Sequence, residues 1–208
     1  NTDIIILLLG ALSFLIGISY SFGPVPISRT PLGEVFSGLF MGLVITFISA
    51  YIHVLDQNII SVIFGKGMLE LTLNVTELLY ILLVSIPAVV GIANIMLANN
   101  ICDIEDDIEN KRYTLPIYIG KENALKIFKL LYYIAYFDML FLYLLGVMPP
   151  IYLFSLLTII PVTKNIMLFY KKQTKKDTFV LSVKNFVLMN GAQVLFIGVA
   201  AITRYIGI

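Results

Sequence analysis

Apolar residues in this chain gather in six long runs separated by short polar stretches. The runs are "IIILLLGALSFLIGISY" at 4–20, "VFSGLFMGLVITFISAYI" at 35–52 and "LLYILLVSIPAVVGIANIML" at 78–97. Three more follow at 124–146, 151–170 and 179–202. Each approaches the roughly 20 residues that a helix needs to cross a hydrocarbon core. Backbone in lipid must satisfy its own hydrogen bonds, so six such runs predict an all-α, polytopic transmembrane helix bundle forming one domain over 1–208.

Composition strengthens this reading. The chain is 59% hydrophobic and 13% charged, against about 25% charged in soluble domains. A net charge of +1 argues against a nucleic-acid surface. The single Cys102 permits no internal disulfide. No basic segment and cleavage site frame 4–20, so this run reads as a span rather than a signal peptide. The sequence opens on Asn1 directly before that span, which gives the expectation of an N-terminally incomplete domain.

Alternation of the loops sorts the basic residues. The loops 21–33, 100–122 and 171–178 share one face, A. They carry Arg29, Lys111, Arg112, Lys121, Lys171, Lys172, Lys175 and Lys176. Lys126, Lys129, Lys164 and Lys184 lie in helical turns near it, while face B holds Lys66 and Arg204. The positive-inside rule makes face A cytoplasmic. The expected location is thus a bacterial-type cytoplasmic membrane, with the working loops facing the cytoplasm.

One stretch on face A breaks the oily pattern. "NNICDIEDDIENKRYTLP", 99–116, places five acidic side chains between 103 and 109. If the third span continues into it, Asn99, Asp103 and Asp107 share a helix face at four-residue spacing. Asn100 and Asp106 flank that face. Like charges at this spacing repel, and a divalent cation would relieve the conflict. Mg²⁺ takes one or two carboxylates and completes its shell with water and phosphate. Lys111, Arg112 and Lys121 follow, suited to phosphate oxygens. The candidate metal ligands are Asp103, Asp106 and Asp107, within a diphosphate site at the membrane edge. A merely solvated charged loop is the bland alternative. An EF-hand fails, because its sixth position is Ile108 and its twelfth Thr114 rather than Gly and Glu.

"NNICDIEDDIENKRYTLPIYIG" resembles the second aspartate motif of the UbiA superfamily of intramembrane prenyltransferases. The motif has the form N-x3-D-x3-D, then a basic residue, Thr-Leu and Gly. The paired Asn and the Thr-Leu-Pro tail are most similar to the menaquinone-pathway branch, whose acceptor is 1,4-dihydroxy-2-naphthoate. "YSFGPVPISRTPLGEVFSGLFMG", 20–42, resembles a loop of the same branch. The resemblance implies Mg²⁺-dependent transfer of a polyprenyl group from an isoprenyl diphosphate to an aromatic acceptor. It implies that Asp103 and Asp107 are the catalytic metal ligands, supported by Asn99. It puts Arg112 at the motif's basic position, and Tyr20 and Arg29 in a loop closing over substrate. The spans would match helices four to nine of a nine-helix fold. Cys102 departs from the branch's usual Arg. The first aspartate motif has no counterpart, so 1–208 alone is expected to lack transferase activity. Another acceptor, 4-hydroxybenzoate or a lipid alcohol, is the alternative within the family. A non-catalytic membrane cation-binding or transport protein is the alternative outside it, although transporters usually place charged sites near the midplane.

The remaining polar residues read as structural. Asp138 lies inside the fourth span, where ionisable groups are costly, and is expected to find a structural partner or water. Tyr132, Tyr133 and Tyr136 suit packing. His53 suits the interface, and Glu34 the N-terminal end of the second span. Asn165, Asn190 and Gln193 suit interhelical hydrogen bonds, and Pro87 and Pro161 suit kinks. "KKQTKK", 171–176, reads as orientation control and attraction to anionic lipid. The segment 55–77 reads as an ordered cap or a short surface helix.

Overall fold

The computed structural model describes residues 4–57, 59–65 and 67–207. Lys66, counted above on face B, and Asn1 lie outside them. In chain order the elements are α1 (Ile4–Ser21) and α2 (Gly33–Ile52), then strands β1 (Ile60–Gly65) and β2 (Met68–Leu73). Next come α3 (Val75–Cys102) and the short helices α4 (Ile104–Glu109) and α5 (Leu115–Ile119). Last are α6 (Lys121–Leu144), α7 (Pro150–Lys171) and α8 (Val180–Ile206). Six of these helices are long and apolar enough to cross a membrane, as the six runs predict.

The third helix is longer than its apolar run at both ends. Asn74 caps its start by accepting a hydrogen bond from the Glu77 amide (3.3 Å), while its own amide donates to Ile59 O (2.8 Å). Its far end carries the helix through Asn99 and Asn100 to Cys102. The segment before it holds a short 3₁₀ turn (Leu55–Gln57) and two strands rather than a surface α-helix. β1 and β2 form an antiparallel hairpin with Ile60 opposite Leu73 and Gly65 opposite Met68. Gly67 supplies the left-handed residue of the turn (φ +77°).

Packing in lipid gains little from hydrophobic attraction and depends on close approach of backbones. α2 shows this clearly. A π-helical stretch over Gly38–Val44 presents Gly38 and Gly42 to α3. A Cβ on Gly42 would lie 2.5 Å from Val89 Cα, and one on Gly38 2.9 Å from Val89 O. α3 is central and packs against α2, α6 and α8. The core joins Leu97 and Ile101 to Phe128, Tyr132, Met139, Ile166 and Phe169. The Phe128 ring sits 4.8 Å from Phe169 and 5.2 Å from Tyr132, and Tyr136 Oη bonds Thr158 Oγ1 at 2.9 Å.

Polar residues inside the spans stitch the helices together. α3 runs through Pro87, and α8 serves carbonyls around it. Gln193 Nε2 donates to Val84 O (3.0 Å) and Asn190 Nδ2 to Pro87 O (3.4 Å). Asn165 Nδ2 donates to Asn185 Oδ1 (2.8 Å). Pro161 coincides with a change of helix type: α7 is 3₁₀ over Pro150–Thr158 and α-helical from Ile159. Asp138 lies in the core of the fourth span. It is buried, and its Oδ2 has no hydrogen-bond partner.

Candidate active site

Face A is a single physical surface. The Tyr113 amide donates to Arg29 O (3.1 Å), tying the second polar loop to the first. Lys175 of the third loop bonds Asn99 and Asp103 at the end of α3. All three basic loops therefore meet over the acidic stretch.

The stretch itself is almost one helix. Asp103 leaves helical geometry (φ −103°, ψ 13°) between α3 and α4. The four-residue hydrogen bonds nevertheless persist across it, Asp103 N to Asn99 O at 3.1 Å and Asp107 N to Asp103 O at 2.7 Å. The predicted Asn99, Asp103, Asp107 face survives for that reason. After α4 the chain reverses at Lys111, which adopts a left-handed conformation (φ 54°). The reversal brings Arg112 and Thr114 back to Asp107. Arg112 Nη1 lies 3.6 Å from Asp107 Oδ1, and Thr114 Oγ1 donates to Asp107 Oδ2 (3.2 Å).

Repulsion among the carboxylates is thus partly answered within the chain. Asp103 has Lys175 and Asp107 has Arg112, each a charge-assisted contact. Asp107 is only 4% exposed. Burial pushes its carboxyl above the ordinary aspartate range, while Thr114 and then Arg112 oppose the shift and Asp103 adds to it. An ionised Asp107 is therefore under-solvated, the condition in which a further cation is welcome.

Other predicted residues fall at varying distances from this pair. Asn99 Nδ2 donates to Asp103 Oδ2 (3.3 Å). Asn100 Nδ2 donates to Glu34 Oε1 (2.8 Å). Tyr20 Oη bonds Ser37 Oγ (2.8 Å), whose own hydrogen goes to Gly33 O. Arg29 contributes its carbonyl to Tyr113, and its side chain is exposed, as is that of Lys111. Asp106 and Lys121 instead line a separate groove of about 450 Å³ with Cys102, Glu105 and Gln173. Among the described residues, no three His, Cys, Asp or Glu side chains converge as a metal cluster. Asp103 and Asp107, with the Asn99 amide oxygen beside them, are the hard-oxygen set at hand. Two carboxylates suit Mg²⁺, which leaves much of its shell to water and phosphate.

Sequence reasoning passed over two participants. Glu34 is 4% exposed, bonded to Asn100, and its Oε2 is buried without a partner. Its first-turn position explained it too easily. Lys175 was one of four similar lysines in "KKQTKK". The only local signal was Thr174-x-x-Asp177, a turn-forming pattern, whose Asp177 amide donates to Thr174 Oγ1 (3.3 Å).

The model of one protein family, the UbiA prenyltransferase family, matches residues 1–201. The chain is similar to 1,4-dihydroxy-2-naphthoate octaprenyltransferase of Bacillus subtilis (strain 168), at 34% identity over 143 residues. That match covers 69% of this chain and 40% of the relative. The chain therefore spans less than half the length of the curated relative it matches. No solved structure matches it significantly.

Proposed function

The chain belongs to the UbiA prenyltransferase family, and from that premise we propose that it transfers a polyprenyl group from an isoprenyl diphosphate to an aromatic acceptor. The acceptor we assign is 1,4-dihydroxy-2-naphthoate, in the formation of demethylmenaquinone. The observation carrying this reading is the convergence of Asp103 and Asp107 with Arg112 and Lys175 at one end of a transmembrane bundle. Carboxylates for a cation and bases for an anion, set at the edge of an apolar bundle, match a substrate with a diphosphate head and a hydrocarbon tail.

In this reading Asp103 and Asp107 hold Mg²⁺, with Asn99 orienting Asp103. Bound Mg²⁺ supplies Lewis-acid neutralisation of the leaving pyrophosphate. Arg112 stands beside Asp107 and adds fixed positive charge for the same anion. Lys111 and Arg29, exposed on the surrounding loops, draw the diphosphate toward the site. Asn100 and Tyr20 brace the wall formed by the start of α2. The apolar helices receive the polyprenyl tail and keep water from the departing allylic group.

Face A is proposed to lie in the cytoplasm. A thiol placed by Lys176→Cys in a Cys102→Ala background should react with an impermeant reagent in inside-out vesicles and not in intact cells. The function itself is tested with the full-length protein, an isoprenyl diphosphate, and naphthoate or 4-hydroxybenzoate, with and without Mg²⁺. Prenylated naphthoate formed only with Mg²⁺ supports the reading. Product on benzoate alone transfers it to another acceptor, and no product on any aromatic or alcohol acceptor rejects it.

A further inference from the structure

The loop joining α7 to α8 is strongly basic, yet it is braced in one conformation. The Thr174 amide donates to Thr178 Oγ1 (2.9 Å), and the Thr178 amide returns a bond to Thr174 O (3.1 Å). Lys172 Nζ is bonded to Asp177 Oδ2 (2.8 Å). This turn directs Lys175 inward, over the Phe179 ring at 5.4 Å. Its ammonium donates to both Asn99 Oδ1 and Asp103 Oδ2.

That contact has two sides. Asp103 Oδ2 accepts from Lys175 and from Asn99 together, so a cation approaching this oxygen meets an ammonium already in place. Lys175, however, is not locked in. Its side chain is 49% exposed, and its four-carbon stem is flexible with a compact charge at the tip. It can swing away without opening the core. An ammonium competes with a divalent cation for a carboxylate oxygen, but it attracts a diphosphate.

We propose that Lys175 is a tethered counter-ion of the carboxylate site, displaced from Asp103 by the divalent cation and then pairing with the substrate diphosphate. Metal alone must evict Lys175 with nothing offered in return. Metal with diphosphate gives the ammonium a new partner, so the two ligands reinforce each other through one side chain. Lys175 holds the site against premature cation binding and then becomes part of the anion grip. The inference rests on the reading of Asp103 as a metal ligand, made above.

The test measures binding rather than turnover, on the full-length protein in detergent. Mn²⁺ affinity in the absence of anion is followed by electron paramagnetic resonance. Affinity for labelled inorganic pyrophosphate is measured separately at saturating Mg²⁺. Lys175→Gln should tighten Mn²⁺ and weaken pyrophosphate, each by about fivefold or more, the lower range of ordinary coupling between ligands. Lys175→Arg, which keeps the charge, should stay closer to the parent on both. If Lys175→Gln leaves Mn²⁺ affinity unchanged or weaker while Asp103→Ala abolishes it, the counter-ion role is overturned and the metal site stands. If Asp103→Ala leaves Mn²⁺ binding intact, the metal reading itself fails and the role of Lys175 goes with it.

Discussion

Asn100 Nδ2 donates to Glu34 Oε1 at 2.8 Å across 66 residues of sequence, joining the end of α3 to the start of α2. Both side chains are buried, and the other Glu34 oxygen has no partner. Truncation by Asn100→Ala would remove the side-chain donor from a buried carboxylate whose other oxygen is already unpartnered. Such groups cost about 1–3 kcal/mol each, so thermal unfolding in detergent should shift measurably downward. Glu34→Gln keeps an acceptor for Asn100 and removes a buried charge, and should unfold close to the parent. Equal loss in both variants would mean that the contact does not hold α2 to α3.

Asp103→Ala should abolish transfer by the full-length protein while leaving its melting profile nearly intact. Asp103 sits at the break between two helices and carries no core packing of its own. Retained turnover would remove it from the site.

Asp107→Asn separates stability from activity. Burial raises the Asp107 carboxyl pKa in the fold, so the protonated form is the one that folding favours. That contribution is present at low pH and is lost as pH rises through the raised value, above which an under-solvated carboxylate remains. Asparagine resembles the protonated state. The variant should therefore gain on the parent as pH rises through that window, with the two melting temperatures drawing together in acid, while transfer is lost. A gap that widens toward low pH would contradict the assignment of burial as the dominant cause.

Gly42→Ala would place a methyl carbon 2.5 Å from the Val89 backbone. Backbone cannot yield as a side-chain tip does, so α2 must back away from α3. Overpacking of this kind costs about 1–3 kcal/mol. The same substitution at Gly10 of α1, where nothing lies within 4 Å, should be silent in the same melting assay.

Residues 1–208 tested alone are expected to show no transfer above background. Among the described residues no third acidic side chain joins Asp103 and Asp107, and the resemblance calls for another aspartate motif to complete the metal–diphosphate site. Prenyl transfer by residues 1–208 well above background would overturn the expectation.

The membrane fold was legible because six apolar runs leave a backbone in lipid little choice but helix. The Asn99, Asp103, Asp107 face was legible for a similar local reason, four-residue spacing on a helix that continues through the polar stretch. The β1–β2 hairpin was not. Gly65 and Gly67, with Leu69, Leu71 and Leu73 alternating against Glu70 and Thr72, were turn and strand signals, but the apolar run at 62–64 before them has no period that separates strand from a buried helix. Spacing along one helix put Asp106 only on the flank of the Asp103–Asp107 face, yet close enough to count among the candidate ligands. Its side chain lines another groove, because neighbours on a helix point about 100° apart.

Loop charge put Lys175 on the right face without distinguishing it from Lys171, Lys172 and Lys176. Only the turn braced by Thr174 and Thr178 brings one of the four onto Asp103. Likewise nothing near Glu34 in sequence points to Asn100, because their meeting depends on how α2 packs on α3 over Gly38 and Gly42. Local spacing and hydropathy decide which helices form and which faces carry charge, since these follow from neighbours a turn apart. Which basic residue answers which carboxylate depends on contacts between distant segments, and those exist only once the helices have packed.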